Sequence, residues 1–97
     1  MKNLEFYEDL NVDNVISFFY LDHKVILRIK ELFIGDKSKG GVIAGEGLMK
    51  GKLYGFNMLY IKTKDVEIYD ERVEDYKFAS EDETAELEMA ESQKTVA

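Results

Sequence analysis

Polar and apolar residues alternate through the segment Lys24–Lys30. Val25, Leu27 and Ile29 fall on one side, and Lys24, Arg28 and Lys30 fall on the other. A period of two is the signature of a half-buried β-strand. The preceding run VISFFYL (Val15–Leu21) is rich in β-branched and aromatic residues that suit a pleated surface. Asp22-His23 lies between the two runs, so Asp13–Phe33 reads as a hairpin turning there. A helical stripe through positions 15, 18/19, 25/26, 29 and 32/33 is the competing reading, and Asp22 interrupts it.

Downstream, GDKSKGG (Gly35–Gly41) has the composition of a polar loop. GVIAGEGLMKGKLYGF then reads as short strands interrupted by glycine, and MLYI (Met58–Ile61) and VEIY (Val66–Tyr69) flank a turn at Lys62-Thr63-Lys64-Asp65. About five short strands with turns every 8–12 residues predict a small barrel or a strongly bent antiparallel sheet. LEFYEDL near the start fits either a short helix or a lead-in strand. Val66, Tyr69, Val73 and Tyr76 have helical spacing, which predicts a short peripheral helix. From Ser80 the chain reads SEDETAELEMAESQKTVA. Ser80 with Glu83 has the spacing of a capping box, and Ala, Leu, Met and Glu favour helix. The segment has no broad apolar face, however, and its six acids repel one another, so the expectation is a flexible acidic tail.

Ninety-seven residues make one domain. The reading is therefore a single β domain over residues 1–78, with the tail over 79–97. A hydrophobic content of 45%, with six Phe and six Tyr, is enough for one small core. The chain has no cysteine, which removes disulfides, thiol nucleophiles and Cys-based zinc sites and fits a reducing compartment. MKNLEFYED has no apolar core of a signal peptide, and the longest uncharged runs reach less than half of the roughly 20 residues a membrane helix needs. A soluble, cytoplasmic protein with no membrane partner is expected.

The net charge of −7 conceals an uneven distribution. Residues 1–23 carry one Lys against five acids, a net −4. Residues 24–64 carry nine basic residues against three acids, a net +6, and residues 65–97 carry three against twelve, a net −9. A basic module thus stands between two acidic flanks.

All seven glycines lie between Gly35 and Gly55. They do not form a nucleotide loop: Gly45-Glu46-Gly47-Leu48-Met49-Lys50 has Lys where the last glycine of G-x-G-x-x-G belongs, and Glu46 would face the pyrophosphate. Gly47, Gly51 and Gly55 are spaced like a membrane packing motif, but Glu46, Lys50 and Lys52 break any apolar span. The remaining reading is structural. Glycines in strands mark bulges, bends and close backbone approach.

Gly51–Glu67, GKLYGFNMLYIKTKDVE, resembles the first signature of the Sm-like RNA-binding barrels in its G-x-L-x-G-F-N run followed by apolar residues and Asp-Val. It departs from that signature after Asn57, where one position is missing. Tyr60 or Ile61 stands near the place of the base-contacting asparagine, and no second signature follows Val66. The resemblance implies a five-stranded bent barrel of SH3/Sm-like size, assembly into rings and contact with RNA.

No catalytic constellation is complete. His23 beside Asp22 has no nucleophile near it in sequence and reads as a solvated turn residue, and Ser17, Ser38, Ser80 and Ser92 lack an elbow motif. The acid pairs Asp70-Glu71 and Glu74-Asp75 and the triplet Glu81-Asp82-Glu83 lack the glycine of a calcium loop and read as a solvated surface. Neither metal nor cofactor is expected. A binding role fits better than catalysis. Lys24, Arg28, Lys30, Lys50, Lys52, Lys62 and Lys64, interleaved with Tyr54, Phe56 and Tyr60, have the composition of a nucleic-acid groove. There, lysines neutralise phosphates and rings stack on bases. The plainer account is that the lysines solubilise a sheet and shield its edges. Two functional readings follow. In one, the basic face of these residues (Tyr54 and Tyr60 included) binds nucleic acid against a competing acidic tail. In the other, the acidic flanks engage a basic protein partner, as in an inhibitor that mimics nucleic acid. Homo-oligomers pairing open sheet edges are a third possibility.

Overall fold

The computed structural model describes residues 10–34, 41–61 and 73–96. Its elements are strands β1 (Val15–Tyr20), β2 (His23–Ile34), β3 (Gly41–Met49), β4 (Lys52–Ile61) and β5 (Val73–Phe78), followed by helix α1 (Glu81–Val96). The strands form one antiparallel sheet in the order β4-β3-β2-β1-β5. The expected mainly β architecture and five-stranded antiparallel sheet are present. The barrel alternative is not, because β4 and β5 remain as separate edges and the sheet is open.

The alternation at Lys24–Ile29 does produce a hairpin, with Phe18 opposite Val25 and Ile16 opposite Leu27. Its turn is Leu21-Asp22, one residue earlier than Asp22-His23, and both residues are left-handed, at φ 47° and 67°. Lys50-Gly51 turns β3 into β4 in the same way, at φ 53° and 77°. Two-residue turns with both residues left-handed carry the twist that neighbouring strands need. Only Gly51 adopts this conformation without a steric cost.

One face of the sheet buries Ile16, Phe18, Val25, Leu27, Ile29, Ile43, Phe56 and Leu59 together with Leu10. The opposite, helix-side face buries Ile26 and Leu48 under Leu87 of α1. Phe56 on β4 meets two rings of β1 edge to face, Phe18 at 6.2 Å and Tyr20 at 5.5 Å between centroids. In a flat sheet β4 and β1 would lie about 14 Å apart, at roughly 4.8 Å per strand. The sheet must therefore curl to bring these rings together.

Glycine makes that curl possible. A Cβ at Gly47 would stand 2.8 Å from Val25 Cγ1 and 3.0 Å from Phe56 Cε2, so the missing side chain is the seat of the Phe56 ring. At Gly45 a Cβ would lie 2.1 Å from the backbone oxygen of Arg28. This close approach coincides with bulges in both neighbours of β3. Lys30 is the extra residue of β2 opposite Ala44–Gly45, and β4 carries one extra residue between Phe56 and Leu59 opposite Ile43–Gly45.

Two elements differ from the sequence reading. Residues 73–78 form strand β5 against β1, not a helix, and Phe78 pairs with Ile16 and packs on the inner core. Val66 and Tyr69, the turn at 62–65 and the LEFYEDL segment short of Leu10 lie outside the described residues. Residues 81–96, expected as a flexible tail, form a helix. Its docking is described below.

The glycine assignment makes a paired prediction. Gly47→Val drives a methyl group into Phe56 and should destabilise the protein by about 1–3 kcal/mol. Gly55, where a Cβ would meet nothing within 4 Å, should accept valine with no loss. Urea denaturation of the two variants provides the comparison, and equal midpoints would refute the seating of Phe56.

Candidate interaction site around helix α1

The cap of α1 is the one anticipated. The Ser80 backbone N–H donates to Glu83 Oε1 at 2.8 Å, the Glu83 N–H donates to Ser80 Oγ at 3.2 Å, and the Thr84 hydroxyl donates to the Ser80 carbonyl at 2.9 Å. Glu81, Asp82 and Glu83 also place negative charge where the helix dipole favours it.

The docking face of α1 is a narrow stripe: Glu83, Leu87 and Glu91, four residues apart. It lies on Lys24, Ile26 and Arg28, two residues apart along β2. Leu87 is 0% exposed against Ile26 and Leu48, with Val15, Leu53, Ala79 and Ala90 around them. Lys24 Nζ pairs with Glu83 Oε2. Arg28 holds Glu91 with two parallel bonds, Nε to Oε2 at 2.9 Å and Nη2 to Oε1 at 3.1 Å. Its Nη1 donates to the Asp13 carbonyl at 3.1 Å. The guanidinium thus ties α1, β2 and the turn before β1 into one joint.

Among the described residues, Glu83 is the most perturbed acid. Burial, which leaves it 7% exposed, alone would push its carboxyl up. The hydrogen bonds from Lys24 and the Ser80 backbone outweigh this and lower it from 4.5 to about 2. The Glu91 hydrogen bond likewise raises Arg28 above its ordinary value, against a smaller opposing effect of burial.

No family model, curated protein or solved structure matches this chain.

Among the described residues, the predicted basic positions are divided between the two sides of the sheet and a turn. Lys24 and Arg28 share a face as expected, but that face is the one α1 covers. Lys30 is exposed on the bulge beyond them. Lys50 sits exposed in the β3–β4 turn. Lys52 and Tyr54 project, by alternation with Phe56, from the opposite side of the sheet, where Tyr54 is 40% exposed. Tyr60 lies in β4 opposite Val42. Lys62 and Lys64 lie outside the described residues. Exposed His23 begins β2, and no group of three or more His, Cys, Asp or Glu able to hold a metal ion occurs among the described residues. No described helix is long and apolar enough to cross a membrane.

The sequence reading did not find the docking of α1 or the exposed acidic face that the docking leaves. With Glu83 and Glu91 turned to the sheet, Glu81, Asp82, Glu86 and Glu88 remain exposed around Met89, itself 67% exposed. Beside the helix, an open groove of about 660 Å³ runs over β3 and β4, between Glu91, Lys30, Glu31 and Asn57. The available signal was the Glu-x-x-x-Leu-x-x-x-Glu spacing set against Lys-x-Ile-x-Arg.

The Glu83 joint has a pH signature. A carboxyl held below its unfolded value stabilises the fold fully above about pH 4.5, and that contribution is lost as pH falls toward 2. Glu83→Gln should cost about 1–3 kcal/mol at pH 7, and its deficit against the parent should shrink below pH 4.5. Parallel stability curves from pH 7 to 2.5 would show that Glu83 does not hold the helix.

Proposed function

We propose that this chain is a non-catalytic interaction module whose acidic helix meets a basic surface on a protein partner. The observation that carries this reading is the division of carboxylates on α1. Glu83 and Glu91 attach the helix to Lys24 and Arg28, leaving Glu81, Asp82, Glu86 and Glu88 exposed on a helix docked in register against a sheet. An ordered row of charge is pre-organised for a complementary row, and it favours rapid and selective association. A partner that ordinarily holds nucleic acid fits this description, since its phosphate-binding cations would find carboxylates instead. The scattered placement of Lys30, Lys50, Lys52 and Tyr54 also favours this reading over a nucleic-acid groove.

One observation supports the second reading, in which the chain itself binds nucleic acid. An acidic helix occupies two of the predicted phosphate-contacting residues, Lys24 and Arg28, as a competing tail would. A tethered acidic segment has a high effective concentration and suppresses weak phosphate binding.

The two readings predict opposite results. Neutralising Glu81, Asp82, Glu86 and Glu88 to Gln or Asn should abolish cross-linked capture of basic partner proteins from cells, with the fold retained and only a small fall in thermal midpoint from the lost helix-dipole interaction of Glu81 and Asp82. Undiminished capture would refute the acidic-helix reading. Single-stranded RNA and DNA at low salt should bind neither the parent nor a Glu83→Gln/Glu91→Gln double variant. Oligonucleotide affinity gained in the double variant would establish the second reading in its place.

A further inference from the structure

Among the described residues, Ser17 is fully buried and its Oγ has no hydrogen-bond partner. Its neighbours Ile16 and Phe18 face the inner core, so alternation turns Ser17 to the helix-side face. There it stands in register with Ile26, which Leu87 covers. What lies over Ser17 follows from the strand order. β1 separates β5 from β2, so the chain leaving β5 at Phe78 must cross β1 on this face to bring Glu83 to Lys24. The last backbone tie of that chain to β1 is the bond from the Ala79 N–H to the Val15 carbonyl, at 3.1 Å. Beyond it, the start of α1 passes over Ser17.

A buried hydroxyl without a partner has lost its bonds to water and gained none in exchange. Undocking of α1 restores them. The rest of the dock is also modest. It consists of one buried leucine, an ion pair to a half-exposed lysine, and the paired bonds of Arg28 to Glu91. Solvent screens an ion pair of the Lys24 kind, which contributes little. The larger core lies on the other face of the sheet and contains no described residue of α1. It therefore does not need the helix to stay closed.

We infer that α1 is a releasable strap, hinged after Ala79, and that the dry hydroxyl of Ser17 limits its hold. Release uncovers Ser17, Ile26 and Leu48 and frees Lys24 and Arg28, with the five strands still paired. The strap goes beyond the reading of α1 as an acidic interaction face, and it does not depend on which partner that face meets.

The chain has no cysteine, so an introduced thiol reports access at a single position. Ser17→Cys nearly keeps the volume of serine, and Val25→Cys places the same probe in the inner core, where Val25 is equally buried. In the full chain, the thiol at position 17 should react with methyl methanethiosulfonate at least tenfold faster than the thiol at position 25. Its rate should stay nearly flat in low urea, because local opening exposes little surface. Adding Glu83→Gln and Glu91→Gln should speed the reaction at position 17 at least tenfold. Ser17→Ala, which removes the hydroxyl alone, should keep or raise the urea midpoint of the parent. A rate at position 17 that climbs with urea as steeply as the parent's own unfolding would overturn the strap, as would a rate unchanged by the two glutamine substitutions. A lower midpoint in Ser17→Ala would show that Oγ is bonded and would overturn its part in the release.

Discussion

The structure depends on a coincidence of two periods. Residues two apart on a strand are separated by about 6.6 Å, and residues four apart on a helix by about 6 Å. Lys24, Ile26 and Arg28 can therefore meet Glu83, Leu87 and Glu91 one for one over the length of the contact. One leucine is too little apolar surface to hold a 16-residue helix, and its burial is worth about 1.5–3 kcal/mol. The flanking ion pairs fix the register and satisfy the two carboxylates turned inward. They also remove two of the helix's six acids from mutual repulsion.

That same joint explains what was legible beforehand. The β1–β2 hairpin could be read because a period of two is local, and Val25, Leu27 and Ile29 do face the core. The capping box could be read because Ser80 and Glu83 are three residues apart. Helix α1 was read as a tail because its stability comes from residues more than 50 positions away. No window on the segment contains the lysine and arginine that neutralise it. Strand β5 was missed for a related reason. Val73 and Tyr76 have helical spacing, but the pairing of 73–78 with β1 includes an extra residue on β5, which breaks the period of two.

The basic module was legible as charge and not as surface. Lys24 and Arg28 were correctly placed on one face, but nothing local says that a helix lies over it. Gly51–Asn57 looks like a bent-strand signature, and the structure places Gly51 in a turn and the rest on an open edge. Of the seven glycines, Gly45 and Gly47 have concrete steric reasons in the curl of the sheet, and Gly51 has one in its turn.

Arg28 and Glu91 are 63 residues apart in sequence, whereas each of the two tight turns closes over two. Loop-closure entropy grows with separation, so local hairpins gain structure before distant contacts repay their closure. The sheet is accordingly expected to assemble first and the helix to lock last, onto a platform already curled by Phe56. Opening should run in reverse. Amides of α1 would then exchange with solvent through partial opening that leaves the sheet intact, while those of β1 and β2 exchange only on global unfolding. The molecule thus holds its acidic surface on its most recently formed and most readily released element.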